Sequence, residues 1–302
     1  MIIKHLNIDA LDPSALLFAI AKSEPVVLDC SNWPEVAPYK PGVVLRAFHT
    51  GSDLVLRFDV LEKCTAAREV NFGGDVYKDS CVEFFIDPDG NGERYYNFES
   101  SCIGVMHNGY HELPSLKVPA TEELYEQVLA YTSVGYEPFD EIIAGERRHH
   151  CCHHHDEEEG GEHHCCHHHD EDEGGEHHCC HHHDEEEGSE HHCCHHHDEE
   201  EGEEHHCCHH HEEEEGGEHH CCCHNQGPAD PNNYWHITLV IPITALFMDK
   251  YESWADLKSA RCNFYKTGAA LSKPHYLSWA PVLTEKPNFH SPQFFQNVEF
   301  EK

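Results

Sequence analysis

The chain has 302 residues and a formal net charge of −38, but that charge is unevenly spread. Residues 149–224 hold 26 of the 57 Asp and Glu, 28 of the 35 His and 13 of the 18 Cys, and contain neither Lys nor Arg. The other 226 residues carry −12, an ordinary globular composition, long enough for one domain with a sizeable core; without a basic stripe they exclude the phosphate-binding footprint of a nucleic-acid partner.

In chain order, Asp12 followed by Pro13 reads as a helix N-cap with proline at the first helical position, which predicts a short helix over Pro13–Lys22. The apolar run Ala15–Ala21 lies inside that helix and follows Asp9 and Asp12, whereas a secretory leader starts with basic residues. No stretch approaches the ~20 apolar residues of a membrane span, so a cytoplasmic protein with no membrane partner is expected. Beyond the helix the dominant period is two. Leu54, Leu56, Phe58 and Val60 alternate with residues that include Arg57 and Asp59, the pattern of a half-buried strand. Val82, Phe84 and Ile86 form a second inward set, with Glu83, Phe85 and Asp87 opposite, and Trp235, Ile237, Leu239 and Ile241 form a third. Further strands are expected at Val26–Asp29, Val43–His49, Tyr95–Glu99, Ile103–His107, Gln127–Ser133, Arg261–Tyr265, His275–Trp279 and Val298–Glu301. Turn residues such as Gly51-Ser52, Gly73-Gly74 and Asn108-Gly109 separate them. About eleven strands and one or two short helices predict an all-β fold, an antiparallel β-sandwich of immunoglobulin or jelly-roll type. Cys30, Cys64, Cys81, Cys102 and Cys262 are scattered and odd in number, as expected of free thiols.

The acidic segment is a tandem repeat. Its unit HHCCHHHDEEEGGE begins at His149 and returns with small changes from His163, His177, His191 and His205, with a truncated copy from His219. In the first unit His149, His150, Cys151, Cys152, His153, His154 and His155 supply imidazole and thiolate, the usual ligands of zinc and nickel. Acidic runs raise the local cation concentration. With almost no apolar residues, however, the segment cannot fold by burial. Near-identical units are what tandem duplication leaves, and the composition predicts a disordered, low-complexity insertion. The domain is then discontinuous, 1–148 with 225–302, and closes around a long loop, since each doubling of loop length costs only ~0.6 kcal/mol.

The motifs YKDSCVEFFIDPDGNG (77–92), YYNFE (95–99), WHITLVIP (235–242), NFYKTG (263–268), HYLSWAPV (275–282) and PNFHSPQFFQNVEF (287–300) together resemble a carbohydrate-binding module of family 9. The likeness is nearest to the stand-alone family-9-like domains of gut Bacteroidetes-type bacteria, and it does not extend to 149–224. The resemblance implies a β-sandwich that grips a glycan or oligosaccharide, often at its reducing end, between two aromatic rings. It places Tyr77 at the first ring and Phe289 at the second, where well-studied members carry tryptophan. Its polar contacts fall on Glu83 and on Arg94 or Tyr95. It requires no cofactor, though modules of this family carry structural calcium.

The residue types suit such a ligand. A sugar offers an apolar C–H face to an aromatic ring and a rim of hydroxyls to carboxylate, amide or guanidinium groups. The plainer alternatives stand beside this reading: Tyr77 as an edge residue and Phe289 as packing. Trp279 reads as core, and Trp33 as a loop aromatic. Asp87-Pro-Asp-Gly-Asn-Gly begins like a calcium loop, but Phe98 occupies the twelfth position, where an EF-hand needs Glu, so a tight turn is expected. The function expected is non-catalytic glycan binding linked to polysaccharide catabolism. One alternative is transition-metal binding or storage by the repeat. Another is a glycoside-hydrolase-associated enzyme, which needs two carboxylates flanking the scissile bond. Asp79 and Glu83 read as sharing a strand face, ~13 Å apart along the backbone. The sequence carries no GxSxG, HExxH or Walker loop.

Overall fold

The computed structural model describes residues 1–145 and 232–302; the tandem repeat, with its ligand set at His149–His155, lies outside the described residues. The described residues belong to one compact unit, Met1–Arg147 with Pro228–Lys302. Two large β-sheets form it. The first runs in the order Leu129–Thr132, Asn233–Pro242, Asp53–Glu62, Gly42–His49, Ile2–His5 and Glu299–Phe300. The second runs in the order Leu116–Pro119, Met106–Glu112, Arg94–Ser101, Cys81–Asp87, Arg261–Thr267, Tyr276–Ser278 and Cys30–Ser31. Pairing is antiparallel except at Ile2–His5, which runs parallel to both its neighbours. A β-sandwich with two short helices, Pro13–Lys22 and Glu122–Gln127, is therefore the fold of the described residues.

Alternation explains why these strands face one another. Trp235, Ile237, Leu239 and Ile241 stand opposite Val60, Phe58, Leu56 and Leu54 in antiparallel register. All eight are buried in the core between the sheets, where Val82, Phe84 and Ile86 meet them from the second sheet. Phe84 stacks on Phe98 and Phe264, with ring centroids 6.0 and 5.1 Å away. The outer face of the first sheet is covered in part by the Pro13–Lys22 helix, whose Leu16, Ala19 and Ile20 pack on Phe48, Val55 and Val240. The Asp12 carboxylate caps that helix, accepting from Ser14 N and Ala15 N.

One ionic contact joins the two sheets inside the core. Lys266 Nζ lies 2.8 Å from Glu62 Oε2, and both side chains are fully buried. Glu62 Oε1 accepts from Ser80 Oγ and from Trp235 Nε1, each at 2.6 Å. Lys266 also donates to the Thr267 carbonyl at 2.6 Å and meets His275 Nε2 at 2.7 Å. Burial, then the Lys266 charge, hold His275 well below the usual imidazole range, so its ring is neutral and accepts from the ammonium.

Several boundaries differ from the periodic reading. The YYNFE strand extends to Arg94–Ser101, and the next begins at Met106 rather than Ile103. Ile2–His5, Cys64–Ala67, Leu116–Pro119 and Phe139–Ile143 are additional strands. Phe139–Ile143 pairs with Cys64–Ala67 in a separate two-stranded sheet, and Leu129–Thr132 pairs antiparallel with Asn233–Pro242 of the first sheet, so paired strands flank the repeat in sequence on both sides. Asp79 is not on the Cys81–Asp87 strand. It follows the short turn Val76–Lys78, and its carboxylate accepts from Arg68 N and Glu69 N at 2.7 and 2.8 Å. The shared strand face expected for Asp79 and Glu83 is thereby corrected. Asp87 closes the tight turn as expected, accepting from Asp89 N, Gly90 N and Gly92 N. Gly90 has φ +70°, and a Cβ there would lie 2.0 Å from the Ser259 carbonyl oxygen, so only glycine fits.

Candidate functional site

Strand parity builds the site on the second sheet. Val82, Phe84 and Ile86 enter the inter-sheet core, so Glu83, Phe85 and Asp87 face the other way. Register then sets a row of side chains across four strands: Tyr265, Glu83, Glu99 and His107. A second row holds Asn263, Phe85, Asn97 and Gly109. On the far side Tyr95 stands opposite His111, and His111 opposite Lys117.

Glu83 and Glu99 are thus immediate cross-strand neighbours, and both are buried, at 3% and 5% exposure. Thr267 Oγ1 donates to Glu83 at 2.8 Å, and Asn97 Nδ2 to Glu99 at 2.8 Å. Burial and then the charge of Glu99 push the Glu83 carboxyl well above the usual carboxylate range. Burial raises Glu99 as well, against a lowering influence of His107. The pair forms an acidic floor that favours hydroxyl donors, because every donor to a buried carboxylate offsets its desolvation.

Tyr265 stands beside Glu83 in register, and aromatic residues of the same face pack around it. Tyr77, in the Val76–Lys78 turn, is 40% exposed, with Lys78 Nζ 5.9 Å from its ring centroid. Its carbonyl accepts from Ala269 N at 3.0 Å, which ties the turn to the end of the Arg261–Thr267 strand. Tyr276 stands opposite Thr267 in register, half-buried, and burial and then the Tyr77 phenol raise its pKa. Phe289 is 6% exposed and stacks on Tyr265 at 4.1 Å and 19°. Trp33, at 5.4 Å, and Tyr276, at 6.3 Å, flank Phe289. Trp33 is itself buried, with Nε1 donating to the Thr284 carbonyl at 2.7 Å. Trp279 packs on Phe264 at the edge of the core.

Of the five ligand residues expected from sequence, Glu83, Tyr95 and Phe289 share the outer face of this sheet, and Tyr77 stands beside it. Tyr95 is only 1% exposed; its hydroxyl pairs with His290 Nδ1 at 3.0 Å, and its ring lies parallel to His111 at 4.7 Å. Arg94 is not brought to this face. Its strand neighbour Tyr96 is in the inter-sheet core, and Arg94 lies on that side, bound to Asp249 at 2.7 Å and to Asp89 at 2.6 Å. Glu99, Asn97, Thr267, His107, Tyr276 and His290 were not anticipated. The alternation Tyr95, Asn97, Glu99 in YYNFE carried a signal for two of them.

The Asp87 turn does not fit a calcium ion, because the carboxylate oxygens face three backbone N–H donors that a cation would have to displace. Among the described residues no group of three or more His, Cys, Asp or Glu is arranged to hold a metal. The five described cysteines are free thiols. Among the described residues no helix is long and apolar enough to cross a membrane.

Comparison with solved structures finds a likeness to a candidate carbohydrate-binding protein from Bacteroides uniformis, 24% identical, with a TM-score of 0.66, covering 100% of this chain and 98% of that one. A family 9 carbohydrate-binding module from Caldicellulosiruptor kristjanssonii, solved with glucose, is matched at 8% identity and a TM-score of 0.45, over 100% of this chain and 95% of that one. The same organism's module with cellotriose is matched at 6% identity and 0.45, over 100% and 93%. No curated protein matches the chain. The model of carbohydrate-binding family 9 matches residues 12–148 and 225–300, more than half of the sequence and interrupted only around the repeat. The chain therefore belongs to carbohydrate-binding family 9.

Proposed function

We propose that this chain is a non-catalytic glycan-binding module serving polysaccharide catabolism, and that its sugar lies against Tyr77 with hydroxyls directed to Glu83 and Glu99. One observation carries this reading: two carboxylates, buried side by side with raised proton affinity, on a sheet face that also bears Phe85, Tyr95 and Tyr265, with the exposed Tyr77 in a turn tied to the end of the adjacent Arg261–Thr267 strand. Hydroxyl donors supply what the buried acids lack, and the ring supports the apolar sugar face. Phe289 backs the site through Tyr265 and Tyr276 rather than standing free. Glu83 and Glu99 reach the ligand from the same side of one sheet, whereas a glycosidase needs its two carboxylates on either side of the scissile bond.

Calorimetric titration of the full chain with mono- and oligosaccharides, in chelator, tests the proposal. Saturable binding is expected. Glu83→Gln should weaken it up to about tenfold, the share of one hydrogen bond. Tyr77→Ala should weaken it about tenfold. A folded chain that binds no sugar would overturn the reading.

A second reading, metal capture by the repeat, rests on the 28 His and 13 Cys gathered in residues 149–224. Zinc or nickel titration of the full chain, read by equilibrium dialysis, should give several ions bound per chain and loss with chelator. Sugar affinity unchanged by that metal would assign the two activities to separate parts of the sequence.

A further inference from the structure

Beside the acidic floor, on the same outer face, lies a cavity of about 280 Å³. Tyr95, His111, Pro114, Lys117, Asn288 and His290 are among its walls. This is just under the ~300–1,000 Å³ of pockets for drug-sized ligands, a volume suited to one sugar ring. We propose that it holds an acidic sugar unit, a uronate whose carboxylate pairs with Lys117; this rests on the glycan-binding reading above.

The charge arrangement selects the ligand class. Lys117 is on the edge strand Leu116–Pro119, directly opposite His111, so both side chains share the cavity face. Glu112 also borders the cavity, but its carboxylate accepts from Tyr110 Oη at 3.0 Å, and Tyr110 belongs to the inter-sheet core on the other side of the sheet. No described carboxylate forms an ion pair with Lys117. Burial, then Lys117 and His107, bring the His111 imidazole down to about 4. Desolvation by the surrounding protein, then His111 and Lys117, bring His290 down to about 3. Both rings are therefore neutral near pH 7, and Lys117 is the formal charge on this face of the cavity. An ammonium without an ion-pair partner beside neutral hydrogen-bonding rings favours an anion that also carries hydroxyls. The net negative charge of the chain opposes this only over a screening length of ~8 Å at physiological salt.

The hydrogen-bond network fixes which ring atoms remain for those hydroxyls. Asn97 Nδ2 donates to Glu99 Oε1 at 2.8 Å and to the His107 carbonyl at 3.3 Å, so Asn97 Oδ1 is an acceptor. His111 Nε2, 3.0 Å from that oxygen, must carry the proton, which leaves Nδ1 as a lone pair for a sugar hydroxyl. His290, with a side chain 40% exposed, links the two places: Nδ1 meets Tyr95 Oη, and Nε2 lies 3.9 Å from Glu99 Oε1. Glu99 and Tyr95 are four residues apart on one strand, ~13 Å along the backbone, a span for linked sugars rather than one. The ligand class is a glycan in which a uronic acid neighbours a neutral sugar.

Calorimetry on the full chain, in chelator, with glucuronic and galacturonic acids against their methyl esters and neutral hexoses, tests this. The acids should bind about tenfold more tightly than the esters, the worth of one charge-assisted bond. Lys117→Met, an exposed position, should bring acid and ester to the same affinity, and so should high salt. Equal binding of acid and ester by the native chain, or a preference that survives Lys117→Met, would overturn the proposal. Neutral-sugar binding without acid preference overturns the cavity assignment alone. Absence of binding to every sugar overturns the glycan-binding reading with it.

Discussion

At the scale of single residues, the protein sinks titratable groups into the fold, and their pH response follows from the direction of each shift. Glu83 is raised, so the folded chain holds its proton more tightly than the unfolded chain does. That contribution to stability is fully present below the unfolded carboxylate value of ~4.3 and is lost as pH rises through the folded value. Glu83→Gln is therefore expected to melt at a higher temperature than the native chain at pH 8, with the gap closing towards pH 4, in a calorimetric series. An equal gap at every pH would show that Glu83 does not titrate on unfolding. His111 works in the opposite sense. Its contribution is present above ~6.5, the unfolded imidazole value, and is lost as pH falls through about 4. His111→Gln should flatten the acid side of the same profile. Glu83 itself was legible from VEFFID as a carboxylate facing away from the core. That it is 3% exposed was not, because the Phe289 and Phe295 segment that packs over Phe85 and Tyr265 comes from the far end of the chain.

Between elements, what joins one sheet to the other is partly ionic. Lys266, on the Arg261–Thr267 strand, meets Glu62, on the Asp53–Glu62 strand, with both side chains at 0% exposure. Removing one partner of a buried pair leaves the other uncompensated. Lys266→Met is therefore expected to cost about 3–5 kcal/mol of folding free energy, measured by urea denaturation. A loss below about 1 kcal/mol would mean that water already reaches Glu62. The strands themselves were largely legible. Leu54–Val60, Val82–Ile86 and Trp235–Ile241 alternate cleanly because one side of each meets the inter-sheet core. Cys64–Ala67 and Leu116–Pro119 were not read as strands. The first has all four residues buried and so shows no alternation, and the second is an edge strand with exposed and half-buried residues only. Arg94 and Tyr95 part company for a related reason. Parity, which depends on where a strand starts, sends Tyr95 to one face and Arg94 to the other.

For the whole molecule, the repeat falls in sequence between Phe139–Ile143, of the small two-stranded sheet, and Asn233–Pro242, of the first large sheet. Asn233 Nδ2 donates to the Ile142 carbonyl at 2.8 Å and to Thr65 Oγ1 at 3.2 Å, which ties both sides of the insertion point together within the described residues. Replacing 149–224 by a short glycine-serine linker is expected to leave the melting temperature of the sandwich within a few degrees of the full chain, since shortening a loop changes its closure free energy by about 0.6 kcal/mol per halving. A collapse of cooperative unfolding in that variant would instead make the repeat part of the folding unit.

From the sequence alone came the helix at Pro13–Lys22, the alternating strands, the all-β class, the family motifs and the separate character of the repeat. All of these depend on local chemistry: caps, period-two burial, turn residues and composition. The tertiary structure alone decided that Glu83 lies beside Glu99, that Phe289 is packed against Trp33 and Tyr276, and that Lys117 stands beside His111 in the wall of a cavity. Those facts depend on strand register and on long-range chain return, which bring together residues distant in sequence, and a one-residue slip would reverse every side chain involved.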